Sequence, residues 1–372
     1  MNSKEIQNNI KELEKELKKY EKNDFNVFFY VIDTKGTPSG SLAYIYELAK
    51  ILNDMGYNVK MLHNETEFVG VGDWMGEAYA NLPHLDIEKN NVGISAADIL
   101  FIPEIYSHVM HKTKNLPCKR IAILQNFRFL TEIIPYGTSW ADYGIRECIA
   151  NTKFLSDRIK DVFPNTLVRT VRPGIKNMFK RNDKPKKLII NIVSQDQSDI
   201  NSIIKPFMWK YPVLKWVSFR PLRGAAREDF ANALKESIAT IWVDTKSNFG
   251  YSALEAMAAG NFVVAKVPED LPEWGVDKKG TLKDNVLWFY NNYDAVEIIS
   301  TLIESYLDNA IPEDIESEMD ETVSYYSEEK QKKDVEEVIV KEIFTQRKKE
   351  LEIALDILKN KEVKEETNED EK

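Results

Sequence analysis

Two glycine-containing segments have the residue types that a phosphate-bearing ligand requires. In the first, DTKGTPSGS (33–41), Gly36 and Gly40 let the backbone approach a ligand, and the helix that follows offers free N–H groups to an anion. In the second, FGYSALEAMAAGNFVVA (249–265), a glycine opens a helix and Glu255 lies about one turn into it. A carboxylate in that position is well placed to accept hydrogen bonds from a ribose. Any strand-to-helix turn favours glycine, proline and serine, so the first segment is not specific by itself.

Titratable side chains also follow predicted strands. Asp33 ends the first strand, and Glu104 follows the strand ADILFIP, so both are expected to face the cleft where ligands bind in open parallel sheets. Glu104, His108 and His111 have helical spacing, i, i+4 and i+7, which would suit a metal ion. A polar helix face is the alternative that we favour, and we predict no metal site.

Alternating strands and helices must position these residues. Apolar runs such as FNVFFYVI, YNVKML and KRIAILQ read as buried strands, with helical segments between them. A stretch rich in proline, lysine and arginine, RPGIKNMFKRNDKPKK, then interrupts the pattern and reads as a linker, after which KLIINIV starts a second alternating unit. VLKWVSF reads as the next strand, which would place Arg220 and Arg223 in the loop after it. The fold class predicted is α/β, with two parallel-sheet, Rossmann-like domains facing a cleft.

Four regions follow from these patterns. They are an amphipathic helix (1–23), a first domain (24–178), a second domain (186–308) and a helical, acidic tail (309–372) whose end is expected to be disordered. The apolar stripe of the first helix, which includes Ile6, Ile10 and Leu13, would either lie on its own domain or pair with a partner helix, so a homo-oligomer through the terminal helices stays open.

The segment 249–265 closely resembles a signature of GT-B glycosyltransferases, the large retaining group that uses nucleotide sugars, which reads approximately E-G-F-G-x-x-x-L-E-A-M-A-x-G-x-P-V-V-A. The segment GTPSGSLAYIYELAKILNDMGYNVKML resembles the glycine loop and first helix of the same family, and IANTKFLSDRIKDVF with VRPGIKNMF resembles the end of its first domain. The resemblance extends over roughly 25–300 and is stronger in the second half.

The resemblance implies a role for each matching residue. Glu255 would bind the donor ribose, and Phe249, Gly250, Tyr251 and Ser252 would set the helix N-terminus against the diphosphate. Gly36 and Gly40 would lie beside the donor at the cleft.

The sequence departs from the family pattern at three places. Ser247 stands where the family has its first glutamate, and Gln125 stands where it often has a histidine. We therefore take Gln125, with Asp33 and Glu104, as a candidate catalytic residue. The Arg and Lys that hold the diphosphate are missing from SQDQSD, and Arg220, Arg223 or Lys246 would substitute for them.

The function implied is transfer of a sugar from a nucleotide diphosphate sugar, with UDP-glucose as the commonest donor, to an acceptor bound by the first domain. Retention of configuration without a metal or other cofactor is expected from the family. The alternatives are a donor-binding scaffold without turnover and a nucleotide-sugar epimerase. The acceptor would be a saccharide or a protein, with a modified DNA base as a further alternative.

Charge bears on the DNA alternative. The net charge is −10, but residues 304–372 hold 23 acidic and 11 basic side chains. The remaining 303 residues hold 37 acidic and 39 basic side chains and are therefore nearly neutral. Residues 153–187 carry 11 basic and three acidic side chains, a local excess that would suit phosphates. A solvated basic face is the alternative, and it is the commoner reading of such a run.

The remaining features predict a cytoplasmic protein. Cys118 and Cys148 are too few for a disulfide framework, no apolar run is long enough to span a bilayer, and the charged N-terminal segment lacks the apolar core of a secretory signal.

Overall fold

The computed structural model describes residues 3–90, 92–194, 196–244 and 249–370, with side chains from 4 to 363 among them. In these residues the alternating pattern forms two parallel sheets, each covered by helices. An amphipathic helix, α1 (Ser3–Lys22), precedes the first sheet.

The first sheet has seven strands in the order β3-β2-β1-β4-β5-β6-β7, all paired in parallel. The central strands are apolar on both faces because helices cover both sides of the sheet. The strands are β1 (Asn26–Tyr30), β2 (Asn58–His63), β3 (His84–Asp86), β4 (Ile99–Pro103), β5 (Lys119–Leu124), β6 (Glu147–Ala150) and β7 (Leu167–Thr170). The helices between them are α2 (Gly40–Asp54), α3 (Gly72–Met75), α4 (Glu77–Ala80), α5 (Ser107–Lys112), α6 (Phe127–Ile133) and α7 (Lys153–Val162).

The second sheet has five parallel strands in the order β12-β11-β10-β8-β9. They are β8 (Lys187–Val193), β9 (Ser218–Leu222), β10 (Ser237–Trp242), β11 (Phe262–Lys266) and β12 (Leu287–Phe289). The helices that pack on it are α8 (Gln197–Lys210), α9 (Arg227–Glu236), α10 (Tyr251–Ala258) and α11 (Asp294–Leu307).

Two strands differ from the sequence prediction. β3 was not predicted, because three residues are too few to show a periodic pattern. β9 begins later than VLKWVSF indicates, since Pro212 starts a 3₁₀ turn, Pro212–Leu214. The strand contains Pro221, which is tolerated because β9 lies at the edge of the sheet.

The C-terminal region connects both domains and does not form a separate tail. It consists of α12 (Glu313–Tyr325), α13 (Glu328–Asp334), a π-helical segment Val335–Phe344 and α14 (Thr345–Asp370). α12 packs on the second domain against α10, whereas Val335, Ile339 and Phe344 enter the core of the first domain. α14 continues to Asp370, through most of the stretch for which the composition predicts disorder.

α14 also covers the apolar stripe of α1. Ile6 and Ile10 of α1 form a buried cluster with Leu355 of α14, and Lys359 lies 2.8 Å from Glu14. The stripe that would pair with a partner helix is therefore buried within the chain itself. None of the described helices combines the length and the apolar character needed to cross a membrane.

Acidic groups of the C-terminal region neutralise much of the basic stretch 153–187. Arg169 pairs with Glu342 at 2.8 Å, Arg172 with Asp334 at 2.7 Å and Lys176 with Glu328 at 3.1 Å. Other pairs join Lys180 to Glu329 and Arg181 to Asp320. The charge that would attract a nucleic acid is thus much smaller in the folded chain than the sequence suggests.

Candidate functional site

A cleft of about 460 Å³ separates the two domains at the carboxyl ends of their strands. Residues from both sheets line it, as expected for open parallel sheets. From the first domain these are Thr37, Pro38, Ser39, Gly40, Ser41, Ala43, Trp74, Gln125, Asn126, Phe129 and Asn151; from the second they are Val193, Ser194, Leu222, Arg223, Gly224, Ala225, Arg227, Phe230, Asp244, Phe249, Tyr251, Ser252 and Glu255.

The glycine loop after β1 brings the two domains into contact. Ser39 caps α2 by accepting the N–H of Leu42 at 3.4 Å. A Cβ at Gly40 would lie 3.1 Å from a ring carbon of Tyr251, so the absent side chain permits this approach. Gly36 does not line the cleft; its φ of +76° suits a turn, and a Cβ there would meet nothing within 4 Å.

The N-terminus of α10 lines the cleft and directly follows Gly250, which is tightly packed. This residue has a φ of +70°, and a Cβ would lie 3.0 Å from Trp242 and 3.1 Å from Trp274. Trp274 also fixes the preceding segment, since its indole N–H donates to the carbonyl of Phe249. Tyr251 and Ser252, the first residues of α10, line the cleft, and the first N–H groups of a helix have no partner within the helix, so they are available to an anion.

Glu255 lies in α10 beside a buried interdomain ion pair. Arg227, the first residue of α9, contacts Glu47 of the first domain at 2.8 Å and Glu255 at 3.4 Å. The Glu47 side chain is fully buried, and Gln331 of α13 donates to it at 3.3 Å. One guanidinium thus bridges a carboxylate of each domain at the cleft.

Burial sets the protonation of this cluster. It raises the pKa of Glu255 to about 7; the nearby Arg227 lowers that pKa, and the nearby Glu47 carboxylate raises it. For Arg227, burial lowers the pKa, but the two carboxylates raise it more, so the guanidinium remains charged with a pKa above its ordinary value.

Glu47 and Arg227 were not among the site residues predicted from the sequence. Each had a recognisable signal. Glu47 is a carboxylate within the otherwise apolar run LAYIYELA, and Arg227 is a cation at a helix N-terminus, where the helix dipole disfavours it.

The proposed diphosphate cations lie in different places. Arg223 lines the cleft, in the loop after β9. Arg220 lies within β9, because the strand is shifted from its predicted position, and it does not line the cleft. Its guanidinium pairs with Glu236 at a distance of 3.0 Å. Lys246 and Ser247 lie outside the described residues.

Two of the three candidate catalytic residues do not line the cleft. The Asp33 carboxylate accepts the backbone N–H of Val69 at 2.7 Å and that of Lys35 at 2.9 Å, which fixes the loop. Although burial raises the pKa of Asp33, those hydrogen bonds and the ammonium group of Lys35, 3.1 Å away, lower it more, and the net pKa lies below the ordinary value.

Glu104 is buried beneath the loop after β5. It accepts the N–H groups of Gln125 at 3.0 Å and Asn126 at 2.8 Å, and burial nevertheless raises its pKa to about 7. Glu104 precedes α5, whose His108 and His111 are exposed, so the three do not share a helix face. Gln125 does line the cleft, and its amide donates to the carbonyl of Ser41 at 3.1 Å.

Charge is distributed unevenly across the cleft. Within the part of the chain that the structure describes, the lining residues of the first domain have no ionisable side chain. The second domain supplies Arg223, Arg227, Asp244 and Glu255. The two halves of the cleft are therefore chemically distinct.

No protein-family model and no curated protein sequence matches the chain. Solved structures do resemble it. The pneumococcal O-GlcNAc transferase GtfA, in complex with UDP and GlcNAc, has a TM-score of 0.63 and 8% identity, covering 87% of this chain and 99% of its own. Sucrose-phosphate synthase from Thermosynechococcus elongatus has a TM-score of 0.59 and 12% identity, and the match covers 87% of this chain and 100% of the synthase chain. HepE from Anabaena, in complex with UDP-glucose, has a TM-score of 0.58 and 12% identity, and the match covers 85% of this chain and 99% of the HepE chain. With two Rossmann-like domains facing one cleft and glycosyltransferases as its structural neighbours, the chain has the GT-B fold.

Proposed function

We propose that the protein is a glycosyltransferase that moves a sugar from a nucleotide diphosphate sugar to an acceptor held by the first domain. One observation carries the proposal: Arg223, Arg227 and Glu255 meet the N-terminus of α10 in a single interdomain cleft. This arrangement offers a carboxylate to ribose hydroxyls and positive charge to a diphosphate leaving group. The neighbours solved with UDP-glucose and with UDP support a UDP-sugar donor, and UDP-glucose is the first to test.

In this proposal the two arginines replace the family's missing cations. Arg223 and Arg227 follow β9, whereas the family places its Arg and Lys after the first strand of the second domain. A guanidinium can hold a phosphate through two parallel hydrogen bonds, so two such groups with a helix N-terminus supply the charge stabilisation that bond cleavage requires.

The neutral first-domain half of the cleft supports retention of configuration. Inversion requires a side-chain base that removes the acceptor proton as the hydroxyl attacks. The described first-domain residues that line the cleft include no such base, since Gln125 cannot act as one, and the carboxylates of the lining, Asp244 and Glu255, belong to the second domain, which is proposed to bind the donor. In a retaining transfer, an oxygen of the leaving diphosphate can take that proton on the same face of the sugar.

A donor-binding protein without turnover is the second candidate. It is favoured by Ser247, which stands where the related signature has a glutamate.

Titration calorimetry with UDP and with uridine tests the proposed site. Arg223→Gln and Arg227→Gln should each lower UDP affinity at least tenfold and uridine affinity little. Glu255→Gln should weaken both by about 1.5–3 kcal/mol, the range for a hydrogen bond to a charged group. Arg220→Gln is the matched control, because its guanidinium pairs with Glu236 outside the cleft. If all four variants are folded and bind UDP with the affinity of the wild-type protein, the proposed site is rejected.

A further inference from the structure

We propose that one exposed corner of the second domain is a peripheral attachment site for an anionic lipid bilayer. This corner consists of the end of α8 and the turn that follows it, and we call it the α8 patch. Its members are Trp209, Val213 and Trp216, flanked by Lys205 and Lys215. None of these five residues lines the cleft, so the proposal does not depend on the glycosyltransferase function.

The α8 patch exposes an unusual amount of apolar surface. Trp209 is 76% exposed, Val213 is 78% exposed and Trp216 is 58% exposed. Their spacing of four and then three residues is that of one helix face. Single exposed apolar side chains are normal on a soluble protein, but two tryptophans and a valine so close together are typical of an interaction surface.

The fold holds these side chains outward. On the opposite face of α8, Ile203 and Phe207 are buried in the core of the second domain, and Val217 is buried directly after the patch. The phenol of Tyr211 donates to Glu297 of α11 at 2.7 Å, which fixes the end of the helix. The tryptophans could turn inward only by displacing packed residues, so their exposure is a property of the fold.

The charge around the α8 patch suits an anionic surface. Residues 200–219 contain three lysines and no acidic side chain. Lys205 and Lys215 are exposed on either side of Trp209, and the third lysine, Lys210, pairs with the adjacent Glu297 of α11. A lysine can lay its alkyl stem along apolar groups while its ammonium group meets the phosphates of lipid headgroups.

A bilayer fits this combination better than a protein partner does. Tryptophan is enriched at membrane–water interfaces, because its ring is apolar and its indole N–H stays near water. Protein interfaces instead bury their anchor residues in well-packed pockets, and they need a surface of complementary shape. Protruding tryptophans at a helix end, with lysines beside them, need only a soft apolar layer under anionic headgroups.

The α8 patch lies at the end of the second sheet that is remote from the cleft. α8 follows β8 at the carboxyl end of that strand, and its 14 residues carry the chain back by about 21 Å. The patch is followed directly by β9, which begins at Ser218 and leads back to the cleft. Attachment through the patch would therefore leave the cleft accessible.

Vesicle flotation with the full chain tests the proposal. The probes are vesicles of phosphatidylcholine alone and vesicles of phosphatidylcholine mixed with phosphatidylglycerol. We expect at least about tenfold stronger binding to the mixed vesicles, and weaker binding as salt screens the lysines. Binding to neither kind of vesicle, or equal binding to both, would overturn the proposal.

Variants locate the binding. Trp209→Ala and Trp216→Ala should each weaken binding to the mixed vesicles at least about tenfold, and Lys205→Gln and Lys215→Gln about fivefold each. Tyr136→Ala is the matched control, because it removes an aromatic side chain that is 107% exposed on the first domain. UDP affinity should stay unchanged in all five variants. A loss in Tyr136→Ala as large as in Trp209→Ala would contradict the placement.

Analytical ultracentrifugation distinguishes a bilayer from a second copy of the chain. We expect the free protein to show no association through the α8 patch. A dimer that Trp209→Ala abolishes, together with no binding to vesicles, would overturn the proposal and assign the patch to contact between two copies.

Discussion

Replacing Glu47 with glutamine should destabilise the protein through loss of an ion pair between its domains. The Glu47 carboxylate lies 2.8 Å from Arg227, and neither side chain has more than 9% exposure. Two unit charges about 4 Å apart attract by about 4 kcal/mol at an effective dielectric constant of 20. Removal of one member of a buried pair typically costs 3–5 kcal/mol. Glu255 lies 3.4 Å from the same guanidinium and remains charged in part, so we expect a loss of about 3 kcal/mol in the free energy of unfolding.

Urea denaturation, followed by circular dichroism and tryptophan fluorescence, measures this loss. The matched control is Glu297→Gln, which removes an exposed ion pair with Lys210 and should cost less than about 1 kcal/mol. In a double-mutant cycle, Glu47→Gln combined with Arg227→Gln should show a coupling energy above about 1 kcal/mol. A loss in Glu47→Gln no larger than in the control, or a cycle without coupling, would refute the view that this pair holds the domains together.

Three further predictions concern Glu104, Glu255 and Gly250. Burial raises the pKa of Glu104 from 4.5 to about 7, so its contribution to stability is complete below pH 4.5 and is lost as pH rises through 7. Between pH 5 and 8, urea denaturation should therefore show a smaller loss of unfolding free energy in Glu104→Gln than in the wild type, by on the order of 2 kcal/mol. If the unfolding free energies of the two proteins change in parallel with pH, this prediction is contradicted. The pKa of Glu255 is also raised to about 7, so calorimetry should show uridine affinity increasing from pH 6 to 8 in the wild type and constant in Glu255→Gln; an increase retained in the variant would assign it to another group. Gly250→Ala should cost about 2 kcal/mol in urea denaturation through strain at φ +70° and contact with Trp242, and more than Gly36→Ala, whose added methyl meets open space; equal losses would exclude the contact.

Local pattern was enough to predict the fold and part of the cleft. Apolar runs of strand length, separated by helical segments, specify two parallel sheets. The rule that ligands bind beyond strand ends selected Gly40 and Glu255, and the family resemblance selected Gln125; all three line the cleft. The same rule selected Asp33 and Glu104, which do not. Strand-end carboxylates are often held by nearby backbone N–H groups, and the sequence does not show which way such a side chain turns.

Most of the features that the sequence did not predict depend on pairs of residues that are far apart in the chain. Glu47 and Arg227 are far apart in the chain, and only the approach of the two domains brings them together. The excess of basic residues in 153–187 is likewise balanced by acidic groups more than a hundred residues later, such as Asp334 and Glu342. Neither pairing leaves a periodic or local signal in the sequence.

The most direct test of the account is a proton NMR experiment in which the protein is incubated with UDP-glucose in the absence of an acceptor. Water then takes the place of the acceptor, and each turnover converts one UDP-glucose and one water molecule into UDP and glucose. The account predicts slow release of UDP with glucose appearing first as the α-anomer, the configuration of the donor, before mutarotation mixes the anomers. Glucose that appears first as the β-anomer would contradict retention. UDP-glucose that is bound but stays intact would indicate a scaffold, and UDP-galactose as product would indicate an epimerase.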